Sequence, residues 1–159
     1  MNIIAKVDKL NHNSAGDILP SEYSDALSSL RGFAQSCLHS SVVFSAGYNS
    51  RLYNYVENFS DFFPDEKGYL KKKIILKVSY YRSALIQGKI LAKKGLWISE
   101  FRIESGLNCG GHAFATDGLL LGPILEEFKN KKTQLLAELF NLCNAALTEK
   151  GIHTFALLP

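Results

Sequence analysis

Apolar residues along the chain fall into short blocks separated by polar turns, and their spacing alternates between two patterns. Ala26, Leu30, Phe33, Ala34 and Cys37 recur at helical steps. They predict an amphipathic helix starting near Ser21 or Ser24, either of which can cap it. Cys37 on that face reads as a small buried hydrophobe. Ser41 to Gly47 then reads as a short buried strand ending in a glycine turn. Asn49 or Ser50 caps a second helix whose apolar face is Leu52, Tyr55, Val56, Phe59 and Phe63, with Pro64 and Gly68 as breakers. A second strand covers Ile74 to Ser79. A helix from Tyr81 to Lys94 follows, packing through Ala84, Leu85, Gly88, Leu91 and Ala92 and stopping at Gly95. Trp97 to Ile103 reads as a third strand. A long helix starts near Pro123, carries Leu125, Phe128, Leu135, Leu136, Leu139, Cys143 and Leu147 inward, and ends at Lys150-Gly151. Ile152 to Leu158 reads as a fourth strand.

This order predicts an α/β fold built from successive parallel β–α units, because short apolar strands without clean alternation are those buried between helices. The unit lengths suit an α/β barrel or an open doubly wound sheet. Residues 1–20, with the polar run Asn11 to Asp17 and then Pro20, read as a loosely ordered segment ahead of an α/β segment over 21–159. Four strands cannot close an eight-stranded barrel. The strand expected before Pro159 also has no covering helix after it. The expectation is therefore part of a TIM barrel, with exposed strand edges open to self-association.

Composition narrows the class without giving the chemistry. Of 159 residues, 47% are apolar and 21% charged, a globular balance that excludes a disordered or collagen-like chain. A net charge of +3 is too small to argue for nucleic acid. No apolar run approaches the ~20 residues of a membrane helix, and the first residues lack a signal-type apolar region. The expectation is a cytoplasmic protein that acts on a small-molecule substrate, without nucleic-acid or membrane partners. Cys37, Cys109 and Cys143 are too few and scattered for a disulfide scaffold, and fit a reducing compartment. Lys71-Lys72-Lys73 reads as a solvated helix end before a strand.

The most informative stretch is Ser105-Gly106-Leu107-Asn108-Cys109-Gly110-Gly111-His112, placed directly after a strand. In parallel α/β folds that is the edge where ligands bind. Glycines let the backbone approach a ligand and leave N–H groups free to hold a phosphate or a ring edge. His112 adds a group able to move a proton near neutral pH. A tight turn with a hydrogen-bonded histidine is the plain alternative.

This segment resembles the Gln-Gly-x-Glu-Ala-Gly-Gly-His run of nitronate monooxygenases and the related flavin-dependent enoyl reductases. Val42 to Gly47 is similar to the family's strand-and-glycine segment. Lys77-Val78-Ser79 with the following helix resembles the unit before its glycine motif. Leu119 to Ile124 resembles its Leu-Leu-Pro-x-Val helix start. The resemblance covers roughly Val42 to Phe128. It implies an FMN-binding TIM barrel in which Gly110 and Gly111 approach the flavin and His112 deprotonates or positions substrate. FMN would accept electrons from a carbon acid or a nicotinamide. Ser105 stands where the family has a flavin-contacting glutamine, Asn108 replaces a glutamate and Cys109 an alanine. The glycine-rich loops that hold the FMN phosphate in the family have no counterpart before Pro159.

Other residues carry competing readings. Cys37-x-His39 and Cys109-x-x-His112 together have the ligand set of a Rieske centre or a zinc site, although the flanking Rieske pattern is missing. Cys109 as a nucleophile has only His112 as a local partner. Glu100, Arg102 and Glu104 alternate on one strand face and read as a salt-bridged ladder rather than barrel-lining charges. Lys77 is either a snorkelling surface lysine or, pointing inward at the end of its strand, a contact for flavin or a substrate anion. A non-catalytic α/β segment that works only with the rest of its barrel is the alternative from another class.

Overall fold

The computed structural model describes residues 1–5, 8–104 and 121–156. Four strands, β1 (Asn2–Ile3), β2 (Ser40–Phe44), β3 (Lys72–Val78) and β4 (Ile98–Ile103), form one sheet in the order β1-β2-β3-β4. Every pairing is parallel, as a chain alternating strands with helices requires. The helices are α1 (Asp25–Gln35), α2 (Ser50–Val56), α3 (Tyr81–Ala92) and α4 (Leu121–Glu149). No helix among the described residues is long and apolar enough to cross a membrane.

Local chemistry sets the helix boundaries. The Ser24 hydroxyl accepts from Leu27 N–H and caps α1, and the Asn49 side chain accepts from Leu52 N–H and caps α2. After α3, Gly95 takes φ +74° while Leu96 N–H reaches back to the Leu91 carbonyl (3.1 Å). Gly151 closes α4 the same way at φ +65°, with Ile152 N–H on the Leu147 carbonyl (2.9 Å).

Strand alternation sorts the sheet into two faces. Ile3, Val42, Phe44, Ile74, Leu76, Val78 and Ile98 join the same core as Leu30, Leu52, Leu91 and Leu139 of the four helices. Val43 and Ile75 are buried but lie outside that cluster, on the opposite face, where Lys73, Glu100 and Arg102 are exposed. The described helices thus pack against one face. A strand order that never reverses goes with this one-sided cover, whereas a doubly wound sheet reverses its order at a switch point.

The fourth strand is not the one expected. Residues 152–156 form no strand, because Phe155 folds back against α4. Its N–H donates to Asn144 Oδ1 (3.0 Å), and its carbonyl accepts from Asn144 Nδ2 (3.0 Å). Those bonds satisfy the backbone without a sheet ladder, while the Phe155 ring meets Trp97 at 5.8 Å. The remaining strand comes instead from the first 20 residues. Asn2 and Ile3 align with Val43 and Phe44, and Ile3 is buried in the core.

Cys37 is also corrected. Helix α1 ends at Gln35, which leaves Cys37 exposed, whereas Cys143 is fully buried in α4. Burial pushes the Cys143 thiol up to about 12. In a Cys109→Ser background a thiol reagent is expected to modify Cys37 rapidly in the native protein, and Cys143 only on unfolding. Two rapidly reacting thiols would contradict this.

The lysine run departs most from its reading as a solvated helix end. Only Lys73 is exposed. Lys71 pairs with Asp61 at 2.7 Å, while Lys72, alternating toward the helices, is fully buried. Its ammonium donates to the Ser36 carbonyl (2.9 Å), Ser36 Oγ (2.8 Å) and the Leu38 carbonyl (2.5 Å). It also stands 4.5 Å from the Phe33 ring centroid. Burial holds this ammonium below the ordinary lysine value.

A second ionic node joins the ends of three helices. Glu57, just past α2, receives Lys94 (2.5 Å) and Lys150 (2.8 Å). Burial alone would raise the carboxyl, but the hydrogen bonds from Lys150 and Lys94 outweigh it and hold the group below its usual value. A depressed carboxyl stabilises the fold above its unfolded pKa, and that contribution is lost as pH falls through the folded value. Glu57→Gln should therefore cost about 1 kcal/mol at pH 7. The gap to wild type should close below about pH 4, as read from urea midpoints across pH.

Candidate functional site at the C-terminal edge of the sheet

In a parallel sheet all strands end on one side, so the residues after β2, β3 and β4 share an edge. Ser45-Ala46-Gly47 follows β2, Ser79-Tyr80 follows β3, and Glu104 follows β4. Glu104 N–H donates to the Val78 carbonyl (2.9 Å), which carries the ladder one residue beyond β4. Ser105, Gly110, Gly111 and His112, the candidate flavin and catalytic residues, come next in the sequence and lie outside the described residues, as does Cys109.

Lys77 is the one candidate whose side chain is described. It is the penultimate residue of β3, between the core residues Leu76 and Val78, so alternation sends it to the face away from the described helices. Arg102 is its neighbour across the ladder. The Lys77 side chain is only 15% exposed, and its Nζ meets Glu104 Oε2 at 2.8 Å. This is a partly buried ion pair at the strand ends rather than a lysine snorkelling into solvent. Glu100 and Arg102 pair separately at 3.2 Å, both exposed. Glu100 thus pairs within β4, while Glu104, one residue past it, reaches across to β3.

Sequence patterning gave no signal for the buried polar group behind this edge. Gln87, 4% exposed in α3, donates from Nε2 to the Ala46 carbonyl (3.1 Å) and Ser83 Oγ (2.7 Å). Its Oε1 accepts from the hydroxyl of fully buried Tyr53 (2.7 Å). Burial pushes the Tyr53 phenol well above the ordinary tyrosine value, so it stays a neutral donor. Gln87 sits one step from the packing face of α3, a position that apolar periodicity alone cannot separate from surface.

Of the two Cys/His pairs, one falls among the described residues. Cys37 and His39 precede β2 at the N-terminal edge, whereas Cys109 and His112 lie outside the described residues. The His39 ring lies beside Tyr69, with Nδ1 3.4 Å from the Tyr69 hydroxyl. Among the described residues no three His, Cys, Asp or Glu side chains gather as a metal site would require. An open groove of about 390 Å³, lined by Lys67, Gly68, Tyr69, Leu70, Lys73 and Ser99, also lies at the N-terminal end of β3, away from the ligand edge.

Comparison with protein-family models gives no match, and neither the curated proteins nor the solved structures provide a significant one.

Proposed function

We propose that the chain supplies four strands of an FMN-dependent oxidoreductase barrel of the nitronate monooxygenase type. One observation carries this reading. The sheet is all-parallel and strictly sequential, with the described helices packed on one face and Lys77 and Glu104 on the other, directly ahead of the Gly-Gly-His run. That is the arrangement of successive units around a barrel, in which the helix-free face points inward and ligands sit at the strand ends. The polar side chains at this edge suit a flavin: a cation held in place by a carboxylate, followed in the sequence by glycines, which allow close backbone approach.

In this reading Gly110 and Gly111 hold the flavin edge through their backbone and Ser105 offers a hydroxyl. Lys77, held in place by Glu104, offers N–H donors at the strand end, and His112 takes the proton from a carbon acid or orients it. Bound FMN supplies the redox chemistry by accepting the electrons. The test is the visible absorption of the purified protein before and after adding FMN, with a metal assay on the same sample. An oxidised-flavin spectrum that is lost in a Gly110/Gly111/His112 triple variant supports the proposal. A colourless protein that leaves the spectrum of added FMN unchanged removes it.

A second reading is a non-catalytic segment that acts only when joined to the rest of its barrel. The exposure of Lys73, Glu100 and Arg102 on the face away from the helices favours it. It predicts no flavin binding, together with concentration-dependent self-association measured by sedimentation.

A further inference from the structure

Resting on the flavin reading above, we propose that Gln87 and Tyr53 form a positioning device that locks the turn after β2 and presents the Tyr48 ring to a planar ligand at the strand ends. Gln87 reaches from α3 into a different β–α unit to hold the Ala46 carbonyl. Tyr53, from α2, fixes the other end of the same amide and stacks on Phe44 of β2 with ring centroids 5.7 Å apart. The Tyr48 ring meets Tyr53 edge-on at 5.3 Å, yet Tyr48 remains 51% exposed. Its ring is therefore braced from behind and open in front.

Two further bonds hold the same turn. Gly47 N–H donates to Ser45 Oγ (3.2 Å), and Asn49 Nδ2 donates to the Ala5 carbonyl (3.2 Å). Ser45 is itself buried. A surface loop does not need three buried polar side chains to stay attached. An apolar residue at position 87 would fill the α3 packing without the desolvation cost of an amide. What the amide adds is a fixed backbone at the edge where ligands bind, so less freedom is lost when one arrives. A half-exposed phenol on such a turn offers a flat apolar surface to a flavin ring. Gln87 is thus a positioning residue, and Tyr48 the contact it positions.

The test pairs Gln87→Met, which keeps volume but removes both ends of the bridge, with Tyr53→Phe, which leaves the Gln87–Ala46 bond in place. Amide hydrogen exchange is followed in the apo-protein, and FMN binding by flavin fluorescence. Gln87→Met should speed exchange across residues 46–49 at least tenfold, with β3 unchanged, and weaken FMN about tenfold. Tyr53→Phe, which releases one end of the amide and keeps the other, should shift both in the same direction by a smaller factor of about threefold, and Tyr48→Ala should weaken FMN without altering exchange at residues 46 and 47. Unchanged exchange at 46–49 in Gln87→Met overturns the proposal. So does exchange that rises equally throughout the sheet, since that marks a merely structural role. Failure of the wild type to bind FMN removes the flavin reading and the ligand half of the proposal, while the exchange data still decide whether Gln87 holds the turn.

Discussion

Lys72→Ala is expected to lower the unfolding free energy by about 4 kcal/mol, a large share of the ~5–15 kcal/mol typical of a domain. The ammonium is the common donor for three oxygens on Ser36 and Leu38, in the turn between α1 and β2. Hydrogen bonds from a charged donor contribute more than neutral ones, and truncation removes all three from part-buried acceptors. Alanine also leaves an empty volume beneath Phe33. Lys72→Met separates these terms. It keeps most of the stem packing and loses the donors, so about 2–3 kcal/mol should disappear. Urea unfolding midpoints at constant slope give both values. A Lys72→Met variant as stable as wild type would mean that desolvation of the ammonium cancels its bonds, a known outcome for buried charges.

Gly88→Val carries the second large effect, about 3 kcal/mol of destabilisation. A Cβ at Gly88 would stand 3.0 and 3.1 Å from the two methyls of Leu139 and 3.5 Å from Phe101. Glycine here lets α3 approach α4 over the edge of β4. Alanine should be nearly neutral, because its helix-propensity gain of about 1 kcal/mol offsets a small shift of the Leu139 methyls. Valine adds branches that such a shift cannot absorb. The check is a double-mutant cycle with Leu139→Ala. The cavity made at Leu139 should take up the valine, so the double variant should be more stable than the sum of the single losses predicts. Strict additivity would place the strain elsewhere.

These two positions mark where the sequence could and could not be read. The capping roles of Ser24 and Asn49, the stops at Gly95 and Gly151, and strands β2 to β4 were legible because each depends on local chemistry. Gly88 was legible as a packing position through helical periodicity. Lys72 was not. Its burial depends on strand register, which turns one lysine of three toward the helices and supplies acceptors from the turn after another helix. Residues 152–156 have the apolar content of a strand, and the Asn144 amide, near the end of α4, together with the Trp97 ring diverts them. Ile3 lacked a long enough apolar run to register as a strand, yet two residues suffice when a ready edge awaits them. Of the candidate site, the sequence placed Lys77 at a strand end but could not supply Glu104 as its partner, since the pairing crosses from β3 to β4.

The sequential strand order has a consequence for how the chain assembles. Among the described residues each strand pairs only with its neighbours in sequence, so none of these ladders waits for a distant part of the polypeptide. Loop closure at every step costs the entropy of one strand–helix unit and no more. As the chain leaves the ribosome, β3 can dock on β2 and β4 on β3 in the order of synthesis. Each addition pairs the backbone N–H and C=O groups left open by the last. β1 holds to β2 over only two aligned residues, so it should be the first strand to fray and the last to recover protection after a pulse of denaturant.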